Sequence, residues 1–202
     1  MKYSFKTIQT PGESLYKVKG SKHFGFAWHV EDESEIALKL RDLRKANHAS
    51  RHVCYAWRLG ADKALFRAND DGEPNNSAGM PILGQIEKYD LTNVLIAVVR
   101  YFGGTKLGVG GLIDAYRTAA QQAIEQAIII EQHLYAHYHL HFGYELSGDV
   151  MLIMRINGWE LYDTDFREDC NVKVQINPEM TQVFQEAFQP FIDIRINFLG
   201  IY

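Results

Sequence analysis

The sequence predicts an α+β protein built from two α/β sandwich domains, residues 1–130 and residues 131–202. Near residue 133 the order of predicted strands and helices changes, and so does the balance of charge. Before residue 131 there are 17 Lys and Arg against 14 Asp and Glu, and from there on 4 against 11. The first domain therefore carries +3 and the second −7, which makes the first the better candidate for an anionic partner.

The composition limits the class of protein. With 202 residues and 47% hydrophobic content, the chain can bury a sizeable core. We find no long apolar run of the kind that spans a membrane, and the first ten residues lack the apolar centre of a signal peptide. Cys54 and Cys170 lie far apart, which argues against a disulfide framework and a four-ligand zinc site. We therefore expect a cytoplasmic protein that does not bind a membrane.

The first domain begins with polar and apolar residues that alternate from residue 2 to residue 30, which predicts two or three antiparallel strands. A helix follows from residue 31 to about residue 45. It starts with acidic residues and ends with basic ones, as the helix dipole favours. Strand-forming residues return at 53–59, and a loop rich in turn formers occupies 69–76.

Ser77 is a candidate N-cap for the next helix, predicted at 78–88. The run from Val94 to Val99 is continuously apolar, which is typical of a central strand covered on both faces. A glycine-rich segment follows, and then a helix predicted at 112–129. These elements would form the core of the first domain.

The second domain has the predicted order βαββαβ. Its strands are expected at 134–144, 160–166, 171–176 and 192–198, and its helices at 148–157 and 179–188. This order predicts a ferredoxin-like sandwich. His137, His139 and His141 alternate along the first strand, so they would face away from the helices. That face could bind RNA or a metal, or could simply be a polar sheet surface.

The glycine-rich segment, residues 103–111, is a candidate anion-binding site. It brings backbone N–H groups close to a helix N-terminus and has two basic side chains nearby. The candidate residues are Arg100, Gly103, Gly104, Thr105, Lys106, Gly108, Gly110 and Gly111, with Arg58 at the end of the strand predicted at 53–59. The segment fits neither a Walker A motif nor a dinucleotide fingerprint. An alternative is that the glycines serve tight packing and positive φ angles.

The loop at 69–76, here called the acidic loop, places Asp70, Asp71 and Glu73 within four positions. Such carboxylates could hold magnesium, or could act with His52 as acid and base. They could equally form ion pairs that hold the loop together. The sequence does not support Cys54 as a nucleophile, and we assign no catalytic residue, no metal ligand and no cofactor.

Five segments resemble the YigZ/IMPACT family in order and spacing. They are RHVCYAWRLG at 51–60, DDGEP at 70–74, AGMP at 78–81, RYFGGTKLG at 100–108 and GGLI at 110–113 followed by AY at 115–116. The resemblance covers about residues 15–125, and the βαββαβ remainder is similar to the second domain of bacterial members. Two departures from the usual pattern stand out. Asn76-Ser77 stands where Gly-Thr is usual, and Asp114 stands where arginine is usual, which removes a positive charge beside the glycines.

The resemblance implies a first domain like domain IV of elongation factor G and the GHMP kinases, with a left-handed βαβ crossover. It implies a second domain like domain V of elongation factor G. Eukaryotic relatives regulate translation initiation by competing for the activator of a starvation-responsive kinase. For bacterial members nucleic-acid binding has been proposed.

These observations favour binding over catalysis. The leading hypothesis is a non-catalytic, translation-associated module that binds RNA, the ribosome or a translation factor between the glycine-rich segment and the acidic loop, with Arg58, Arg100 and Lys106 on phosphate. An alternative is a magnesium-dependent enzyme acting on a phosphorylated small molecule. A third is a protein–protein regulator that binds no nucleic acid. A closed pocket would favour the enzyme, and an open groove would favour the other two.

Overall fold

The computed structural model describes residues 3–167 and 169–202. The chain divides into two compact units, Ser4–Gln132 and His133–Tyr202, and Tyr3 belongs to the second. We refer to them as the first and second units. Among the described residues, no helix is long and apolar enough to cross a membrane.

The first unit is a mixed α/β structure. Its strands are β1 (Ser4–Thr10), β2 (Gly12–Val18), β3 (Ser21–His29), β4 (His52–Leu59), β5 (Leu65–Asn69), β6 (Val94–Tyr101) and β7 (Ile128–His133), and its helices are α1 (Glu33–Ala46), α2 (Gly79–Lys88) and α3 (Gly108–Gln126). Strands β2 to β6 form an antiparallel sheet in the order β2-β3-β6-β4-β5. Strands β1 and β7 pair separately.

Strand β6 is central, as its apolar run predicted, because it is hydrogen-bonded to β3 on one side and β4 on the other. Its odd-numbered residues, such as Leu95 and Ala97, are buried in clusters that include Ile36 and Leu43 of α1. Its even-numbered residues, such as Ile96, are buried with side chains of α2 and α3. Arg100 follows the even-numbered set and therefore points to the α2 and α3 face.

The second unit contains β8 (Ala136–Gly143), α4 (Ser147–Asn157), β9 (Glu160–Phe166), β10 (Asp169–Ile176), α5 (Thr181–Phe188) and β11 (Arg195–Ile201). Its antiparallel sheet has the order β11-β8-β10-β9, the strand order of a ferredoxin-like sandwich. Tyr138, Leu140 and Phe142 of β8 are buried with Val150 of α4 and Phe184 of α5. The likeness of either unit to a domain of elongation factor G stays a prediction.

Three local expectations were wrong. Strands β5 and β7 were not expected, and residues 128 and 129 were assigned to the preceding helix. Helix α3 begins at Gly108 and not at residue 112, so three glycines that were assigned to a loop lie in its first turn. The prediction excluded these residues because glycine has a low helix propensity. In the folded protein the tertiary fold outweighs this propensity.

Candidate functional site

The start of β4 and the end of β6 lie side by side, and residues from both line a groove. His52 at the start of β4 is paired with Arg100 near the end of β6. The acidic loop and the glycine-rich segment border the same cavity, which has a volume of about 450 Å³. The groove is lined by Arg51, His52, Glu73, Pro74, Arg100, Phe102, Lys106, Leu107, Gly108, Val109 and Leu112.

The first turn of α3 opens on this groove, since Gly108, Val109 and Leu112 line it. The residue at the N-cap position, Leu107, makes no capping hydrogen bond with its side chain. The first backbone N–H groups of a helix have no partner within the helix, and they lie at the positive end of its dipole. Lys106, just before the helix, is exposed. The arrangement is therefore suited to an anion.

The structure separates the two interpretations of the glycines. A Cβ atom on Gly103 would lie 1.9 Å from the carbonyl carbon of Gly20, so this glycine is required for packing. Gly104 and Gly108 adopt φ angles of +91° and +74°, which favour glycine. Gly110 has neither reason, because a Cβ there would meet no described atom within 4 Å beyond its own helix and neighbours. Gly110 leaves open space on the first turn of α3.

Arg100 lines the groove although its residue is only 7% exposed. Its Nη1 donates to Oε1 of Glu73 at 2.6 Å, and the hydroxyl of Tyr116 donates to the same oxygen at 2.8 Å. Its Nε has no hydrogen-bond partner within the described residues. Breaking a buried ion pair of this kind typically costs about 3–5 kcal/mol. Glu73 thus fixes the guanidinium beneath the groove.

Asp70 has a structural role that was not foreseen. Its Oδ1 accepts hydrogen bonds from the backbone N–H groups of Ala78 and Gly79 at 2.9 and 2.8 Å, and its Oδ2 accepts from Asn76. It therefore caps α2 from across the loop. The expectation that Ser77 is the N-cap was wrong, because the Ser77 hydroxyl donates to the carbonyl of Pro74 at 2.6 Å instead.

The carboxylate of Asp71 also accepts hydrogen bonds from other parts of the protein. Both its carboxylate oxygens accept from Arg44, and Oδ2 also accepts from the N–H of Val53 at 2.6 Å. Burial would raise the pKa of Asp71, but the hydrogen bonds from Arg44 and Val53 outweigh burial and lower it. The backbone carbonyl of Asp71 lies 2.8 Å from Nδ1 of His52, which fixes the ring orientation.

Each of the three carboxylates of the acidic loop thus forms hydrogen bonds with a different part of the protein. The described residues contain no group of three or more His, Cys, Asp or Glu that could hold a metal ion. The structure agrees with the alternative in which the loop is held by ion pairs. The three proposed magnesium ligands therefore bind groups of the protein itself. Asp70 binds the N-terminus of α2, Asp71 binds Arg44, and Glu73 binds Arg100.

A buried cluster lies next to the Arg100–Glu73 pair. His23 is fully buried, its ring packs edge-on against Tyr116 at 5.3 Å, and neither of its nitrogens has a described hydrogen-bond partner. Burial, together with the charge of Arg100, lowers the pKa of His23 to about 4. Burial also raises the pKa of the Cys54 thiol, which therefore stays protonated at neutral pH and is unsuited to be a nucleophile.

Arg58 does not share the groove with Arg100 and Lys106, contrary to expectation. It is paired with Val94 at the opposite end of the β4–β6 ladder, about 20 Å along the strand from His52. Its Nε donates to the carbonyl of Leu91 at 2.6 Å, and the residue is buried. The sequence predicted Arg58 and His52 in the same short strand, but it did not indicate at which end of that strand the groove forms.

Other predicted residues lie near the groove without lining it. Gly103, Gly104 and Thr105 form the turn before α3, and Gly110 and Gly111 belong to its first turn. Asp114 is exposed and paired with Arg117 at 2.9 Å, so its negative charge is partly offset.

Six residues that line the groove were not predicted as site residues: Arg51, Pro74, Phe102, Leu107, Val109 and Leu112. Arg51, which is exposed, and Phe102, which is 55% exposed, directly adjoin the predicted His52 and Gly103. Their positions beside those two residues were the available signal.

The histidines of β8 have different environments. His137 is stacked on Tyr202 with ring centroids 3.9 Å apart, and its Nδ1 lies 2.7 Å from the hydroxyl of Tyr162. His141 contacts Asn171 at 3.2 Å. His139 lies between them along the strand and is half-buried. Among the described residues these histidines form no metal-binding group.

Comparison with known proteins identifies the family. The profile of the Impact N-terminal domain matches residues 19–124, which is more than half of the chain. The chain belongs to the IMPACT family. Every residue that lines the groove falls inside this match, so the groove lies wholly within the segment on which IMPACT membership rests.

IMPACT relatives match over most of the chain. The IMPACT family member YvyE of Bacillus subtilis is 28% identical over 92% of this chain and 86% of its own length. The member YigZ of Escherichia coli is 27% identical over 95% of both chains. A crystal structure of a hypothetical protein aligns with a TM-score of 0.72 and 23% identity over 99% of each chain. That alignment establishes a shared fold along the whole length.

Proposed function

We propose that this IMPACT protein is a cytoplasmic, non-catalytic, translation-associated protein that binds RNA by holding a phosphate group in the groove. The observation that carries the proposal is the convergence of three features on one cavity. These are the uncapped first turn of α3, the exposed Lys106 and the buried Arg100 whose Nε has no described partner. Helix N-termini and basic side chains together are the usual ligands of phosphate.

The association with translation rests on the IMPACT family resemblance, and the choice of RNA rests on the groove. Its lining combines the cations of Arg51, Arg100 and Lys106 with the exposed ring of Phe102. Basic and aromatic side chains in combination are typical of surfaces that bind single-stranded nucleic acid. The enzyme alternative has less support, because the acidic side chains that it needs are engaged with protein groups.

Binding of the purified chain to a fluorescently labelled single-stranded RNA, measured by anisotropy across a salt series, tests this function. We expect Lys106→Glu to weaken binding at least about tenfold, because it reverses a charge beside the phosphate. Lys88→Glu is the matched control, since Lys88 lies in the last turn of α2, at the end remote from the acidic loop. It should bind RNA as the wild type does.

The salt dependence is a second readout of the same experiment. Because Glu73 neutralises Arg100, the net positive charge at the groove is that of Arg51 and Lys106, and the slope of log affinity against log salt should be about −1.4 for a single strand. In Lys106→Glu the slope should be shallower. The absence of binding at low salt, or equal affinities for Lys106→Glu and Lys88→Glu, would refute the proposal and favour a protein partner.

A further inference from the structure

A second cavity lies beside the groove, and Phe102 lines both. This cavity, here called the aromatic cavity, has a volume of about 330 Å³ and is lined by Gly20, Lys22, Phe24, Asn47, Tyr101 and Phe102. It lies on the first unit, as the groove does. Because Arg100 and Tyr101 alternate along β6, the two cavities open on opposite faces of the sheet, and Phe102, just beyond the end of the strand, borders both.

The backbone that carries Phe102 is firmly held. Gly103 packs so closely on Gly20 that no larger residue fits, and its N–H donates to Oγ of Ser21 at 3.1 Å. On the groove side, the guanidinium of Arg100 lies 5.6 Å from the centre of the Phe102 ring. The backbone next to Phe102 is thus fixed, while the ring itself is 55% exposed. The exposed face of the ring is available for stacking with a base.

The aromatic cavity has the chemistry of a base-binding site. The rings of Phe24 and Tyr101 meet edge to face with centroids 5.8 Å apart, and the Tyr101 hydroxyl donates to Oδ1 of Asn47 at 2.9 Å. Lys22 is exposed at the same cavity. Fixed aromatic rings next to a lysine suit a nucleobase that stacks while its phosphate meets the cation.

From this arrangement we infer that the site holds two successive nucleotides of single-stranded RNA. One phosphate lies in the groove against α3, and the neighbouring base stacks on Phe102 and enters the aromatic cavity. This inference rests on the proposed function and adds a requirement for an unpaired base. A duplex keeps its bases stacked inside and cannot meet this requirement.

The test compares a labelled single-stranded RNA of ten nucleotides with the duplex of the same sequence, at low salt, by anisotropy. We expect the single strand to bind more tightly than the duplex. Phe102→Ala should weaken binding of the single strand about 5- to 150-fold, the range that the loss of one stacked base produces. Phe102→Tyr should restore most of the affinity, because it keeps the ring.

Phe66→Ala is the matched control, since Phe66 lies on β5 and is 59% exposed, close to the value for Phe102. It should leave RNA affinity unchanged. Because both phenylalanines are exposed, both variants should fold, and urea unfolding checks this.

The outcomes separate the two proposals. If Lys106→Glu weakens binding but Phe102→Ala behaves as Phe66→Ala does, the stacking inference is overturned while the proposed function stands. If neither Lys106→Glu nor Phe102→Ala has an effect, both fail. Equal weakening of single strand and duplex by Phe102→Ala would overturn base stacking. Displacement of the bound RNA by poly-glutamate at matched charge would indicate an acidic protein as the ligand and not RNA.

Discussion

At the scale of single residues, Arg100 illustrates how one side chain belongs both to the core and to the candidate site. Its place on β6 directs it to the α2 and α3 face, where Glu73 accepts from Nη1. Its Nε is buried and has no described hydrogen-bond partner. A buried, oriented cation of this kind strengthens binding of an anion, because little reorganisation is needed when the ligand arrives.

His23 gives a prediction about pH at the same scale. Its pKa is about 4 in the folded state, against an ordinary value of 6.5 in the unfolded state. The unfolded chain therefore binds the proton first, so His23 opposes folding progressively as the pH falls from about 6.5 to about 4. We expect wild type to lose on the order of 1–2 kcal/mol of unfolding free energy through this residue between pH 7 and pH 5.

Urea unfolding at pH 7 and pH 5 measures this effect. His23→Phe fills the same buried space without a titrating group, so it should lose less stability on acidification than the wild type does. His48→Gln is the control, because His48 is exposed, and it should follow the wild type. Identical pH dependence of His23→Phe and wild type would show that His23 is not the source.

At the scale of secondary structure, the first turn of α3 is the element that most affects function. It contains three glycines, although glycine is less favourable than alanine inside a helix by about 0.8–1.0 kcal/mol. The cost at Gly110 has no compensation in packing or φ angle among the described residues. Close approach of a ligand to the helix N-terminus would explain why no side chain is present there.

Gly110→Ala is therefore expected to raise the unfolding free energy, by up to about 1 kcal/mol, while weakening RNA binding. Gly84→Ala in α2 is the matched control, because a Cβ at Gly84 also meets no described atom within 4 Å. It should stabilise the protein similarly and leave RNA binding unchanged. Urea unfolding and anisotropy measure the two effects, and unaltered binding by Gly110→Ala would argue against a ligand at this turn.

At the scale of the whole molecule, each unit has its own hydrophobic core and its own cysteine. Cys54 is fully buried in the first unit and Cys170 in the second. Each thiol can therefore report on the opening of the unit that contains it. The residues before position 131 carry a charge of +3, and the rest of the chain carries −7. The basic groove therefore belongs to a protein whose overall charge is −4.

We expect neither thiol to react rapidly with a thiol-specific reagent in the native protein, and both to react in denaturant. Cys54→Ser and Cys170→Ser assign each reaction to its unit, since each variant retains a single cysteine. Kinetics of labelling across a urea series give the measurement. Rapid labelling of a native thiol would contradict the burial of that cysteine.

The sequence by itself determined the elements whose signals are local. The apolar run of β6, the alternation along β8 and the βαββαβ order were sufficient, because side-chain periodicity reflects which faces are buried. The motifs at 51–60, 70–74 and 100–111 also indicated the family and the neighbourhood of the groove. Three of the predicted anion-binding residues, Arg100, Lys106 and Gly108, do line it.

Only the tertiary structure decided which of these residues meet. The pairing of β4 with β6 places His52 beside Arg100 and places Arg58 at the opposite end of the strand pair. Likewise, Asp70 and not Ser77 caps α2, and Glu73 neutralises a buried arginine. These contacts link residues between 8 and 48 positions apart. Their geometry depends on strand register and loop path, which local sequence patterns do not specify.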